Sequence, residues 1–401
     1  MSAQQFGSTQ PIEQMEDSLI ETPLSLEVVR SLPEAEGAFT EWGDLMEEVA
    51  DHSPFIEPHW MKSWWLAFAR PGDEMRLWLI RNERQLVAVA PLFIRCEPGL
   101  LGPQRVLRLW SNVYSNRCNF VVKSTIFHAA IRCIVHRILS KPSDWDVAIL
   151  GDLALEDTTT KQLRSELRLG SVPHRTRKQF EAPFLNLPGT WEDLEEHFTN
   201  GFRATLRRKC RKADQHNLRV ELRESDESLA EVFAVDADSW QAEAGSGLTS
   251  APEVRRFYEL VTRAASDRGT LRVALLRDEI HSLAFELNLV DRGVIYNLKH
   301  GYRQDAKALS PGIVIREKLL RHSIESELTE FDFLGAAELH KLRWTETTRA
   351  LGSVVIPGAS TQARIHHFFE TRVSPFIKRG PPILVRVAKF LKQRLAKSRE
   401  A

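Results

Sequence analysis

Two stretches of this chain carry the same pattern, and a chain that repeats a folding unit is largely restricted to two facing domains of one architecture. Met75–Arg95 reads MRLWLIRNERQLVAVAPLFIR and Leu271–Asp291 reads LRVALLRDEIHSLAFELNLVD. At a constant offset of 196, Arg76, Leu79, Arg81, Glu83 and Ala88 meet Arg272, Leu275, Arg277, Glu279 and Ala284. Each stretch alternates apolar and polar residues, turns at a short charged tip (Asn82-Glu83, Asp278-Glu279) and alternates again, as β-hairpins do. An apolar helical stretch precedes each, Trp60–Ala69 and Val254–Ala265. Another helix and a short strand follow each, the strands at 144–150 and 330–335. This order, used twice, predicts an α/β (α+β) protein of two tandem domains, each a mixed, mostly antiparallel sheet flanked by helices. A cleft between two such domains is a natural ligand site.

At 401 residues the chain is long enough for two cores, since single cores stop growing near ~250–300 residues. With 54 basic and 54 acidic residues, the overall charge implies no polyanionic partner. The four cysteines, Cys96, Cys118, Cys133 and Cys210, form no C-x-x-C pair, which argues against a zinc ribbon or redox motif and for reduced thiols. The first 36 residues are polar and acidic, without the basic and apolar regions of a signal peptide. No apolar run approaches the ~20 residues needed to span a bilayer. These features lead us to expect a soluble, cytoplasmic protein.

Residues 1–23 read as a disordered leader, with Pro23 and Pro33 bracketing a first strand at Leu24–Val29. The N-terminal domain is expected over 24–185, the C-terminal, catalytic domain over 186–361 and a tail over 362–401. Thr190 is a predicted N-cap, with Glu192, Asp193 and Glu195 suiting the positive end of the helix dipole. In Phe202–Leu222, Phe202, Leu206, Cys210 and Ala213 fall on one helical face, and Arg203, Arg207, Arg208, Lys209, Arg211 and Lys212 occupy the rest. That basic side is either simply solvated or faces an anionic ligand such as a nucleotide or an RNA backbone. In the second half, Tyr296–Tyr302 closes the sheet, and Ser310-Pro311-Gly312 predicts a helix with serine as N-cap and proline at its first position. That helix is either an ordinary crossover or an anion site using the amides of Gly312 and its successors.

Hairpin, GY strand, SPG helix start and then DFLG…HKLRW, in this order, resemble the GNAT acyltransferase superfamily. Within it the chain is similar to the tandem-domain, CelD/BcsL-like branch, related to the Fem-type aminoacyl-tRNA-dependent transferases. The resemblance covers most of 24–357, including the EW…L…FIEPHWMKSWW opening at Glu41–Trp65 and VAPLF at 89–93. It implies two tandem GNAT-like domains and direct transfer of an acyl group, usually from acetyl-CoA, to a primary amine of a sugar, amino acid or envelope precursor. Acyl-CoA would be a cosubstrate, with no tightly bound cofactor. The chemistry asks for alignment, a polarised carbonyl and removal of one proton, with no covalent nucleophile. Consistently, there is no G-x-S-x-G elbow, and Gly245-Ser246-Gly247 reads as a loop.

Superfamily members hold the CoA pyrophosphate on Q/R-x-x-G-x-G/A, whereas the aligned segment here, 303–308, reads RQDAKA without a glycine. The Fem-type relatives share this loss, so an aminoacyl-tRNA donor, or a non-catalytic binding or scaffold protein that kept the fold, are the alternatives; nucleic acid enters only under the former. Carried over by the resemblance, Lys341 is the oxyanion-stabilising cation, and Asp332 or Glu338 orients or deprotonates the amine. Asp332 could equally be a structural cap, Glu338 a plain exposed residue, and His340 a base or an incidental histidine. Arg303, Lys307, Ser310 and Gly312 would bind the donor, and Trp240, Tyr296, Lys299, Tyr302 and Trp344 the substrate, the two tryptophans serving as platforms or as core.

The tail offers a separate reading. Over 381–399, Leu384, Val387, Ala388, Leu391 and Leu395 share a face surrounded by Arg386, Lys389, Lys392, Arg394 and Lys397. Such a helix suits an anionic membrane surface, at the inner face of the membrane, or docks on its own domain. His366-His367 stands isolated and no metal site is expected.

Overall fold

The computed structural model describes residues 24–99, 102–140, 144–239, 242, 245 and 247–358. The leader, Trp240 and the basic tail lie outside these residues. The chain opens with strand β1 (Ser25–Val29), helices α1 (Leu32–Leu45) and α2 (Pro58–Phe68), and the first hairpin, β2 (Glu74–Asn82) with β3 (Gln85–Gly99). It continues through β4 (Gly102–Leu109), β5 (Val121–Val122), α3 (Phe127–Ser140), β6 (Val147–Ala154), α4 (Thr158–Leu169) and β7 (Arg175–Asn186). After α5 (Trp191–Glu196) and α6 (Asn200–Gln215) the plan recurs: β8 (Arg219–Arg223), α7 (Leu229–Ala237), α8 (Pro252–Asp267), and the hairpin β9 (Leu271–Arg277) with β10 (Ser282–Asp291). Then follow β11 (Val294–Tyr302), α9 (Pro311–Glu325), β12 (Glu330–Asp332) and β13 (Thr348–Pro357).

Both expected hairpins form, each through its own turn chemistry. In the first, Asn82 pairs with Gln85 and Glu83 takes the left-handed conformation a two-residue turn requires (φ 55°). In the second, Asp278 Oδ1 accepts from the N–H groups of Ile280 and His281 at 2.8 and 2.7 Å, an Asx-type closure. Thr190 caps α5 as its position predicts, accepting from the Asp193 N–H at 3.2 Å.

The strands join one sheet in the order β1-β2-β3-β4-β6-β13-β7-β12-β11-β10-β9-β8, with β5 on β3. The last strand departs from chain order. Although β13 follows the second unit in sequence, it lies in the first unit's part of the sheet, between β6 and β7. Strand β7 therefore pairs with β13 along Arg175–Pro183 and with β12 along Phe184–Asn186, and serves both halves.

An aromatic seam closes the halves on one side of the sheet. The repeat-related helices α2 and α8 meet there, Trp60 edge-on to Phe257 at 5.1 Å and Phe68 against Phe257 at 5.0 Å. Phe55 meets Tyr296 at 5.2 Å. Trp60, Phe55 and Phe257 are fully buried, and each such side chain is worth about 1.5–3 kcal/mol of apolar burial. On the other side, α5, α6 and α9 cover β9–β11, with Leu206, Ala213, Val314 and Leu319 in a second core.

One helix start departs from expectation. Proline opens α9 as predicted, but Ser310 sits in the left-handed region (φ 56°) and its side chain makes no capping bond. Its N–H instead closes a 3-10 turn (Gln304–Leu309) on the Lys307 carbonyl, and its own carbonyl accepts from Ile313 and Val314. Closing that turn sets the residue's backbone, so the hydroxyl cannot reach the first helical amides.

The shared sheet makes Gly352 a sensitive point, since a methyl there would stand 2.3 Å from the Arg177 carbonyl oxygen across β13–β7. Gly352→Ala is expected to lower stability by about 1–3 kcal/mol. Urea unfolding followed by tryptophan fluorescence and circular dichroism should show a single transition for both halves. Two separated transitions would contradict this picture of a common sheet.

Candidate active site

The site begins where two parallel strands part. β11 pairs with β12 only over Val294–Tyr296 and Glu330–Asp332, then runs on to Tyr302 while the chain leaves β12 at Phe333. Just past the split, β11 bulges: Leu287 pairs with Lys299 and Asn288 with Asn297, leaving Leu298 as the extra residue. A bulge reverses which side chains share a face. As a result Asn297 and His300 meet on the α9 side, Nδ1 of His300 3.2 Å from Asn297 Oδ1, while Lys299 lies over the Tyr114 ring at 5.7 Å.

A buried charge network floors the crevice. Arg316 of α9 donates from Nε to both Glu286 oxygens at 2.7 and 2.9 Å, and from Nη2 to Asn297 Oδ1 at 2.9 Å. Asn297 Nδ2 in turn donates to Asn288 Oδ1 at 2.8 Å, and the guanidinium rests over Phe331 and Phe333. With Arg316 so close, burial and neighbouring cations push the His300 pKa well down, so its ring is neutral at neutral pH.

On the opposite wall the chain reverses through Leu334 (φ 51°) and Gly335 (φ 58°). Asp332 Oδ1 accepts from the Leu334 N–H at 2.9 Å and holds this turn. The Leu334 carbonyl receives the Lys341 ammonium at 2.9 Å, and the Ala336 carbonyl receives it at 3.1 Å. Lys341 is only 7% exposed, and burial brings its pKa down to about 8; Glu338 and Asp332 oppose that fall, and Arg316 and Lys299 add to it. An ammonium has three N–H bonds, so two carbonyls leave one for a ligand oxygen.

Asp332 is fully buried, and its Oδ2 takes an ion pair from Arg117 of the first half, with Arg349 Nη1 at 3.8 Å. Arg349 also donates to Glu330 at 2.6 Å, and the Arg117 guanidinium lies 5.9 Å from the Tyr296 ring centre. Asp157 stands in the same field; burial first, and the Asp51 carboxylate second, raise its pKa to about 6.

The crevice thus gathers Lys341, Lys299 and, at its rim, Glu338 with His340, whose Nδ1 is 3.3 Å from Glu338 Oε2. Glu338 is 58% exposed, and the His340 ring packs 5.2 Å from His300. The remaining residues singled out in the sequence take other places. Asp332 is committed to the ion pair between the halves. Tyr296 is buried against Phe55, and Trp344 is buried between Phe198 and Phe202, which makes it core and not a platform. Arg303 is held by Asp238 and Asp305, both at 2.9 Å, and Lys307 is exposed on the 3-10 turn. Gly312 adjoins Tyr302, whose ring would stand 3.7 Å from a methyl at that glycine. Among the described residues no group of histidine, cysteine, aspartate and glutamate could hold a metal ion, and no helix is long and apolar enough to cross a membrane.

Helix α6 turns its apolar stripe inward as its spacing predicts. Arg207 pairs with Glu195 at 2.8 Å and Lys212 reaches the Ala308 carbonyl at 3.1 Å, but Arg208, Lys209 and Arg211 form no ion pair among the described residues. Partial burial, then Arg343 and Arg208, depress the Lys209 pKa, so these cations crowd one another.

Sequence reasoning missed Arg117, Glu286 and Arg316. The second of these left a signal, a lone carboxylate in the apolar run LAFELNL. Glu286→Leu strands the buried Arg316 charge and is expected to cost about 3–5 kcal/mol in urea unfolding, whereas Glu286→Leu with Arg316→Met should restore most of it. A double variant as unstable as the single one would show that the pair is not what this region depends on.

Residues 200–342 match the acetyltransferase (GNAT) domain family. Among solved structures, FemX superposes with a TM-score of 0.58 at 12% identity, over 83% of this chain and 98% of that one. The C-terminal domain of a putative lysylphosphatidylglycerol synthetase from Agrobacterium fabrum gives 0.50 at 11% identity, over 82% and 94%. L-PGS from Bacillus licheniformis gives 0.50 at 12%, over 84% and 98%. Likeness at such identities speaks for the fold alone. No curated protein matches the chain in sequence.

Proposed function

We propose, since residues 200–342 match the GNAT acetyltransferase domain, that this chain is an N-acyltransferase using acyl-CoA, with its reaction centre in the crevice between β11 and the turn after β12. The observation that carries this reading is Lys341, a nearly buried ammonium at the point where the strands part, held on two carbonyls with one N–H left over.

The reaction needs little from the protein beyond position and charge. The nitrogen of a primary amine attacks the acyl carbon of the thioester, the C–N bond forms, and the carbonyl oxygen becomes an oxyanion facing Lys341. Collapse of that intermediate breaks the C–S bond, and the thiolate leaves and takes up a proton. The nitrogen's proton goes to the Glu338–His340 pair at the rim. Burial, the largest influence on its pKa, keeps the His340 imidazole neutral and able to accept. Donor phosphates would lie by the 3-10 turn with Lys307 and the start of α9 at Ser310 and Gly312. The acceptor is an amine of a sugar, amino acid or envelope precursor, approaching from the Lys299 and Tyr302 side, with the protein acting in the cytoplasm or at the inner membrane face.

A second donor has its own support. Arg208, Lys209 and Arg211 on α6, without an ion pair among the described residues and with Arg343 beside Lys209, favour a longer polyanion, an aminoacyl-tRNA. That reading calls for binding of RNA that falls steeply with salt, a dependence that acetyl-CoA would not show to the same degree.

Lys341→Ala is expected to lower transfer by about 10²–10³-fold, read as thiol release from acetyl-CoA with a panel of amino sugars and amino acids. Because only the ammonium stabilises an oxyanion, the wild-type rate should fall as pH rises through about 8, where Lys341 loses its proton. Lys341→Arg, always charged, should lack that falling limb. A fully active Lys341→Ala would sink the assignment.

A further inference from the structure

We propose that Arg117, from the first half of the chain, is a positioning residue for Lys341, so that one domain sets the geometry of the other domain's reaction centre. The inference rests on the reading of Lys341 given above, and it assigns to Asp332 a relay role in place of a base.

Three consecutive contacts make the connection. Arg117 Nη2 pairs with Asp332 Oδ2. The other oxygen of that carboxylate, Oδ1, accepts from the Leu334 N–H at 2.9 Å. The carbonyl of the same residue, Leu334, accepts from Lys341 Nζ at 2.9 Å. A carboxylate gripped from behind by a guanidinium has a fixed plane, and a fixed plane determines where its free oxygen points. That matters because Leu334 is a buried, non-glycine residue at φ 51°, a strained conformation that persists only where its surroundings hold it. The Asp332–Leu334 bond restrains this backbone from within the turn, beside the Phe333 N–H on the Pro183 carbonyl at 3.2 Å, and helps to aim the Leu334 carbonyl at the ammonium.

Arg117 is itself anchored on the first half. The neighbouring Cys118 N–H bonds the Asp152 carbonyl of β6 at 2.9 Å, and Asn116 takes a left-handed turn (φ 59°) that presents the next side chain to the second half. The pair is buried, so its partners cannot be exchanged for water without a large loss. Arg349 sits behind it at 3.8 Å but is directed chiefly to Glu330. Arg117 therefore makes the direct contact, with Arg349 in support.

The proton affinity of Lys341 reports this arrangement without any substrate. Its charged neighbours are Glu338 on its own segment, Arg316 on α9, Lys299 on β11 and Asp332 on β12, with the neutral His340 beside it, and none of these residues is replaced in an Arg117 variant. The experiment is competitive labelling of the full-length protein with acetic anhydride across pH, with modification of Lys341 read by peptide mass spectrometry. Wild type should titrate near 8. In Arg117→Gln the turn is released, water reaches the ammonium, and Asp332 faces it with only the more distant Arg349 as countercharge. Both changes raise the midpoint, by about one unit or more toward the ordinary lysine value of about 10.4. Arg117→Lys keeps a charge but not the fork, and should shift it in the same direction by less.

Hydrogen exchange at the Leu334 amide supplies a second readout, because its partner is Asp332 alone. Exchange should quicken in Arg117→Lys while amides of β10 remain protected. If Arg117→Gln does not fold, Arg117→Lys carries the test through both readouts. Folded variants whose Lys341 still titrates near 8 and whose Leu334 amide stays protected would overturn the proposal. Failure of the acyl-transfer reading is distinguishable, because a fully active Lys341→Ala would refute that reading and leave the labelling result untouched.

Discussion

The crevice depends on β7 serving both halves of one sheet at once. Eight of its residues between Arg175 and Pro183 pair with β13, and its last three pair with β12. β12 is only three residues long and is paired over all of them on both edges, with β7 on one and β11 on the other. β11 and β12 part because β12 ends at Asp332 while β11 runs on to Tyr302. Sheet edges with unpaired amides and carbonyls are costly to bury unless something fills them. Here the Leu298 bulge, the Leu334–Gly335 turn and the Lys341 ammonium stand where the two strands part.

Two buried ion-pair systems flank this opening, and each has a reason to exist beyond stability. Buried pairs are weak stabilisers in general, because desolvation offsets most of their attraction. Arg316 with Glu286 lies beneath the crevice and ties α9, β10 and β11 together through Asn297. Arg117 and Arg349 with Asp332 lie behind it and tie the halves together. In both, each guanidinium is matched by a carboxylate, so what these pairs give the neighbouring backbone is fixed geometry and not net charge.

How far the sequence discloses this depends on whether the determinant is local. The hairpins were legible because alternation and turn residues act within a few positions. The apolar stripe of α6 was legible because its spacing is set by the helix itself. The start of α9 was legible at Pro311 and misread at Ser310, where closure of the preceding turn overrode the usual capping role of serine. Lys341 was carried over by resemblance, and its proximity to the strand split is what the structure adds. Arg117 was invisible, since it lies 215 positions from Asp332 in a loop with no periodicity. The insertion of β13 between β6 and β7 was invisible for the same reason, because strand order along the chain does not encode strand order in the sheet.

If the proposed crevice receives an acyl-CoA, calorimetric titration of the full-length protein with acetyl-CoA at moderate salt should show binding in the micromolar range. Binding should weaken markedly in Gly312→Glu, which sets a carboxylate at the start of α9 where the donor phosphates are proposed to lie. No heat of binding up to millimolar acetyl-CoA would contradict an acyl-CoA donor.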